Sequence, residues 1–230
     1  MAADRALIEE IRSGLAGAAD ADKAPGMQAY MKSSMPYYGV TTPVGRRLAK
    51  ATFRRYPLAS FADWHDTALT LWREATFREE RYAALELTGY RPYLKHLSLA
   101  ALPLCEEFVV AGAWWDYVDV VAIHRIGPIL AAHPSEMASR LRAWSHDTDM
   151  WKRRSAILSQ VAFKSGTDLD LLYDCIEPNL ADREFFIRKA IGWALRSYAW
   201  VDAGEVVRYV ESVGDRISPL SRREALKNVT

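Results

Sequence analysis

The chain is poor in the residues that most metal, redox and nucleotide chemistry requires. It carries two cysteines in 230 residues, Cys105 and Cys175, each alone in a helical context. Isolated thiols make neither a disulfide framework nor a zinc-ligand spacing, so they read as buried thiols of a protein kept in a reducing compartment. The histidines (His65, His96, His124, His133, His146) are scattered. There is no His-Glu-x-x-His and no glycine-rich phosphate loop, so no metal, flavin or nucleotide cofactor is expected. No apolar run approaches the ~20 residues of a membrane span. Residues 1–21 mix Asp, Arg and Glu into a helical pattern, unlike a secretory signal. A cytoplasmic protein is the expectation. The net charge of +1 advertises no nucleic-acid partner, but a basic face can be balanced by an acidic back.

What is present is helix. Half the residues are hydrophobic and 26% are charged, ordinary for a soluble folded chain. Period-3.6 patterning dominates and strict alternation is nearly absent. The pattern predicts helices over 4–17, from Thr42-Pro43 onward, and over 60–74, 77–90, 101–111, 113–131, 134–145, 149–164, 168–177, 183–200, 202–213 and 218–228. Thr42 reads as an N-cap with Pro43 at the first helical position. Breaks are expected at Arg91-Pro92, His133-Pro134, Ser165-Gly166 and Ser218-Pro219. The segment 24–41, with Pro25, Gly26, Pro36 and Gly39, is the least regular.

A degenerate string recurs as Arg154-Ser155-Ala156-Ile157, Arg188-Lys189-Ala190-Ile191 and Arg223-Glu224-Ala225-Leu226, at spacings of 34 and 35 residues. Each copy falls early in a helix that follows a helix and a turn. A helix pair every ~35–45 residues marks a stacked α-solenoid of HEAT or armadillo type; coincidence in an Ala- and Arg-rich chain is the alternative. The expected fold is all-α, an α-solenoid of HEAT-like helix pairs in one domain over 1–230. Its second helices would line a concave basic groove.

Trp114-Trp115-Asp116-Tyr117-Val118-Asp119 is the most informative stretch. Residues four apart share a helical face, so Trp115 and Asp119 project together, while Trp114, Val118 and Val121 can be core. An aromatic beside a carboxylate suits a site that meets a cation. Basic and aromatic residues recur downstream: Trp151, Lys152, Arg153 and Arg154; Arg188, Lys189, Trp193 and Arg196; Arg222, Arg223 and Lys227. Arg46, Arg47 and Lys50 form an earlier cluster. Within these windows carboxylates are sparse, apart from Asp116, Asp119 and Glu224. Lys and Arg can contact phosphates and Trp can stack on a sugar or base. A solvated basic face over core tryptophans is the plainer reading of any one cluster. A carboxylate aimed at a polyanion opposes binding, and makes sense if positive charge develops nearby in a transition state. Cleavage of an N-glycosidic bond develops such charge on the sugar, as other glycosyl transfers do. Equally, Asp119 could form an ordinary interior salt bridge with Arg154 or another arginine.

Several strings resemble, in order over nearly the whole chain, the AlkD family of bacterial DNA glycosylases, which are built from HEAT-like repeats. They are Tyr30-Met31-Lys32, Gly39-Val40-Thr41-Thr42-Pro43 with Arg46-Arg47, the double-Trp string, Trp151 to Leu158, Glu184 to Trp193, and Pro219 to Ala225. The resemblance implies excision of cationic alkylated purines, 3-methyladenine and 7-methylguanine, from double-stranded DNA. It implies Asp119 as the catalytic carboxylate, Trp115 and Trp193 as aromatic walls, and Arg154 as a phosphate contact. Tyr30, Arg46, Arg47, Lys189 and Arg196 become supporting or DNA-backbone contacts. It implies no deep pocket for the extruded base, unlike most base-excising enzymes. One departure is Ala162 where a lysine is expected shortly after Arg154; either nearby Lys164 supplies that contact or the contact is dispensable. A cationic purine leaves without a general acid, and no second acid is evident. The rival readings are a non-catalytic HEAT-repeat protein that binds damaged or structured DNA, and a solenoid scaffold for a protein partner. Nothing calls for an oligomer, and a monomer acting at the bacterial nucleoid is expected.

Overall fold

Capping side chains and apolar stripes set the helices of this protein. The structure, a computed structural model, describes residues 3–229. Among them are fourteen α-helices and no strand, as the period-3.6 pattern predicts. None of the helices is long and apolar enough to cross a membrane among the described residues. The chain divides into two compact units, one through Leu97 and one from Ser98 onward.

The first unit holds α1 (Arg5–Gly17), α2 (Ala24–Met31), α3 (Thr42–Arg55), α4 (Phe61–Arg73) and α5 (Arg78–Thr88). Asp4 caps α1 by accepting from the Leu7 amide at 2.9 Å. Leu7, Ile8, Ile11 and Leu15 then form its buried stripe. A reciprocal capping box of Ser60 and Asp63 opens α4. Helices α1, α3 and α4 pack on α5. The buried Glu79 of α5 accepts from the backbone amides of Tyr38, Gly39 and Val40 at 2.9–3.0 Å. Gly39 takes φ +85, and a Cβ there would lie 2.0 Å from the Asp20 carbonyl oxygen. The turn leading into α3 is thereby fixed.

The second unit holds α6 (Leu102–Gly112), α7 (Trp115–Val121), α8 (Gly127–Ala132), α9 (Pro134–Ser145), α10 (Met150–Leu158), α11 (Leu169–Ile176), α12 (Phe185–Ala199), α13 (Ala203–Val213) and α14 (Pro219–Ala225). Helices 9–14 alternate in chain order between two rows, with α9, α11 and α13 as first members and α10, α12 and α14 as second members. The second members stack in a row, with α7 against α10, α10 against α12 and α12 against α14. The first members are tied in a parallel row. Arg142 of α9 donates to Asp174 of α11 at 2.7 Å, and the Tyr173 and Tyr209 rings of α11 and α13 stack 3.9 Å apart. The three copies of the arginine string fall on α10, α12 and α14, so the repeat is one of helix placement.

Several boundaries differ from the sequence expectation. The irregular stretch 24–41 contains α2, because Pro25 sits in its first turn, where a missing N–H costs nothing. Thr41, not Thr42, is the N-cap of α3. The expected break at Arg91-Pro92 is a 3-10 helix over Arg91–His96. The helix expected to run to 164 stops at Leu158, where the Gln160 amide exchanges two hydrogen bonds with the Asp168 backbone at 2.8 and 2.9 Å.

The segment expected as one helix over 113–131 begins at Trp115 and widens to a π turn over Ala122–Ile126 before α8. Pro128 explains the widening. It has no N–H for the His124 carbonyl and its ring would crowd that oxygen. The Arg125 guanidinium supplies the missing donor to the His124 carbonyl at 2.9 Å.

Close approach of α12 and α14 depends on Gly192. A Cβ there would fall 2.4 Å from Glu224 Cβ and 2.9 Å from the Ser221 carbonyl oxygen. The Ser221 hydroxyl donates to the Arg188 carbonyl at 2.9 Å and fixes the register. Gly192→Ala is expected to destabilise the protein by about 1–3 kcal/mol through overpacking, read as a lower urea midpoint. Gly26→Ala, with open space around the new methyl, should instead stabilise it by about 0.5–1 kcal/mol.

Candidate functional site

An aromatic cluster joins the first turns of three stacked helices in the second unit. Trp114 is the extended N-cap of α7, at φ −152 and ψ 145. Its ring lies 6.3 Å from that of Trp151, at the start of α10, and 5.4 Å edge-on from that of Phe186, at the start of α12. Trp151 and Phe186 are 5.1 Å apart. This aromatic cluster pins the three N-terminal ends together. The Asp149 carboxylate orients the start of α10 by accepting from the Trp151 and Lys152 amides. The indole N–H of Trp114 is buried with no hydrogen-bond partner, consistent with a ring kept for packing.

One helical turn in from this cluster runs a polar chain. Arg154 of α10 donates from Nε to Asp119 Oδ1 at 2.7 Å and from Nη2 to Asp119 Oδ2 at 2.9 Å. Its Nη1 donates to the Phe186 carbonyl of α12. Of the two readings left open for Asp119, the ion pair with Arg154 is therefore present. It does not seal the carboxylate: the Asp119 side chain keeps 13% of its exposure, against 5% for Arg154. Each carboxylate oxygen has two lone pairs, so Arg154 leaves acceptor capacity on the exposed edge.

Trp115 and Asp119 share one face of α7 and are both half-buried, while Tyr117, Val118 and Val121 are core. Burial pushes the Asp119 carboxyl above the ordinary carboxylate range. The Arg154 hydrogen bond and charge pull the other way, and Asp116 adds a smaller upward push.

On α12, Lys189, Trp193 and Arg196 fall at i, i+4 and i+7 and share a face. All three are half-buried. Lys189 and Arg196 converge on Glu224 of α14, at 3.1 Å and 2.5 Å. Those two bonds hold the Glu224 carboxyl below its usual range. Lys152 pairs with Glu106 at 2.5 Å and Asp147 at 3.3 Å, and Arg153 with Asp182 at 2.9 Å. The basic windows are thus less free than their local sequence suggests, because most of their carboxylates arrive from other helices and loops.

Lys164 is exposed in a left-handed conformation (φ 54) beyond the end of α10, near exposed Ala162. In the first unit Tyr30 is 76% exposed on α2, and Arg46 and Arg47 are exposed on α3, with Arg46 held by Glu86 at 2.7 Å. The residues that sequence reasoning missed are Phe186, as carbonyl acceptor and packing ring, and Glu224, as bridge. Both lay inside strings already singled out, and their separation from Arg154 and Lys189, close to the 34–35-residue repeat, was the available signal. Among the described residues no three His, Cys, Asp or Glu side chains come together as metal ligands.

A family model described as DNA alkylation repair enzyme matches residues 11–229. A solved structure described as a predicted DNA alkylation repair enzyme from Enterococcus faecalis is similar, with a TM-score of 0.83 and 28% identity over 92% of this chain and 97% of that one. No curated protein matches the sequence.

The Asp119 ionisation gives a direct test of the pair. Because its folded value is raised, its stabilising contribution is present below the unfolded carboxyl value and is lost as pH rises through the folded one. Arg154→Met removes the opposing pull, so the Asp119 carboxyl should titrate at still higher pH. Carbon-13 NMR of labelled aspartate measures this; an unchanged or lower titration point would mean that Arg154 does not stabilise the anion.

Proposed function

The chain belongs to the DNA alkylation repair enzyme family, and from that premise we propose that it is a DNA glycosylase. It hydrolyses the N-glycosidic bond of cationic alkylated purines, 3-methyladenine and 7-methylguanine, in double-stranded DNA. The supporting observation is the Asp119 carboxylate, fixed by two bonds from Arg154 yet still edge-exposed beside Trp115. An anion held in this way cannot turn away from a cation that forms next to it.

The chemistry asks little more of the protein. The bond between the sugar C1′ and the purine nitrogen breaks, and its electron pair leaves with the base, which becomes neutral. The sugar becomes oxocarbenium-like, Asp119 stabilises the new positive charge electrostatically, and the indole faces of Trp115 and Trp193 add cation–π attraction. Water adds to C1′ and loses a proton, leaving an abasic site. Because the leaving base starts cationic, no general acid is required, and no group bound deep in a pocket is needed to draw the base out.

Tyr30, Arg46, Arg47 and Lys164 are the proposed backbone contacts to any duplex, and Lys189 and Arg196, both paired with Glu224, are proposed to reach the backbone only in the lesion complex. For Arg154 the resemblance implies a phosphate contact. Its 4% exposure and its bonds to Asp119 and the Phe186 carbonyl support a positioning role instead. The pairing of both Asp119 oxygens with Arg154 also favours a second reading, a protein that binds DNA without cutting it.

Purified protein incubated with duplex containing 7-methylguanine should release the free base. Asp119→Asn should slow release by about 10²–10³-fold, the scale of losing one preorganised electrostatic group. Trp115→Ala and Trp193→Ala should each slow it by up to about 30-fold, from a cation–π contact of ~0.5–2 kcal/mol. Uncharged lesions should be poor substrates. Tight duplex binding with no base release would establish the second reading, and release by Asp119→Asn at the wild-type rate would remove Asp119 from the mechanism.

A further inference from the structure

The Glu224 bridge has no role in the chemistry above, yet the local structure is built around it. Lys189 and Arg196 are seven residues apart on α12, roughly 10 Å along a helix axis, with Trp193 between them. One carboxylate from α14 reaches both. Its side chain keeps 13% of its exposure, against 36% and 24% for Lys189 and Arg196. It can come this close only because residue 192 has no side chain. The carboxylate occupies, with respect to these two cations, the position that a phosphate group would take.

Resting on the glycosylase reading, we propose that Glu224 is a specificity-determining residue: it withholds Lys189 and Arg196 from the phosphates of undamaged duplex. A repair enzyme must cross a large excess of intact DNA, and each cation given to the backbone adds affinity that carries no sequence or lesion information. An internal anion between two cations removes that increment without deleting the cations. They remain beside Trp193 for the complex in which that indole meets the lesion.

The salt dependence of binding counts phosphate contacts and separates this role from a merely structural one. Each contact steepens the slope of log K against log salt by about 0.9. Binding of undamaged duplex is measured across salt for wild type, Glu224→Gln, Lys189→Gln, and the two double variants Glu224→Gln/Lys189→Gln and Glu224→Gln/Arg196→Gln. Glu224→Gln should bind about tenfold tighter near 100 mM salt, with a slope steeper by about one to two. Either double variant should lose part of that gain. Lys189→Gln alone should leave the slope unchanged, because its charge is already withheld; this arm does not depend on any change at Glu224.

An unchanged slope in folded Glu224→Gln, or a slope shallower by about one in Lys189→Gln alone, overturns the proposal while leaving the glycosylase reading intact. If neither wild type nor Glu224→Gln binds duplex at low salt, the DNA reading and this proposal fall together.

Discussion

The arginine at position 154 is the constraint on which the site rests. It is buried with three of its donors placed, two on Asp119 and one on the Phe186 carbonyl. A buried guanidinium left without partners would be costly, and so would an isolated buried carboxylate. Each makes the other tolerable, and the geometry is correspondingly narrow. Because Asp119, Arg154 and Phe186 belong to α7, α10 and α12, this one hydrogen-bonded chain also sets the lateral register of the stacked helices. The Trp114, Trp151 and Phe186 rings supply the apolar backing that makes the pair partly dry.

The same logic extends to the charges around it. Lys152, Arg154, Lys189 and Arg196 are each bonded to a carboxylate from another helix, and Arg153 to Asp182 in the loop before α12. A chain with a net charge of +1 can still present cations along one row of helices, provided their counter-anions sit between the helices. On the proposed reading, Lys189 and Arg196 are preorganised, because their side chains lose little further freedom when a phosphate replaces the carboxylate. On the same proposed reading, exposed residues without that restraint, such as Arg47 and Lys164, are the less costly first contacts with a polyanion.

Helix content was legible in the sequence because capping residues and apolar stripes are local. The Ser60–Asp63 capping box and the stripe from Leu7 to Leu15 are complete within one helix. The α2 helix was not legible, because Pro25 and Gly26 signal a turn and only position decides that a proline in a first turn is harmless. Nor was the π turn before Pro128, whose freed carbonyl is satisfied by a side chain. For the site, i to i+4 spacing paired Trp115 with Asp119 correctly on one face, but it says nothing about partners on other helices. Those follow a different period: Asp119 to Arg154 is 35 residues, Arg154 to Phe186 is 32, Arg153 to Asp182 is 29 and Tyr173 to Glu205 is 32. In a stacked array, residues about one repeat apart are lateral neighbours. Read at that offset, the sparse carboxylates of each basic window become the abundant carboxylates of the adjacent repeat.

The neutralising arginine also bears on which bonds such a site could break. At about 4 Å and an effective dielectric of about 20, a carboxylate stabilises a unit positive charge by about 4 kcal/mol, and a guanidinium twice as far away takes back about half. Two indole faces add ~0.5–2 kcal/mol each. The sum is a few kcal/mol, a rate factor of about 10²–10⁴. That is a modest acceleration for a glycosidic bond of ordinary strength. It is useful for a bond already weakened by positive charge on the leaving base, since the substrate then carries most of the driving force. A site of this design discriminates by reactivity as much as by shape. It could leave intact purines alone without having to inspect each one in an enclosed pocket.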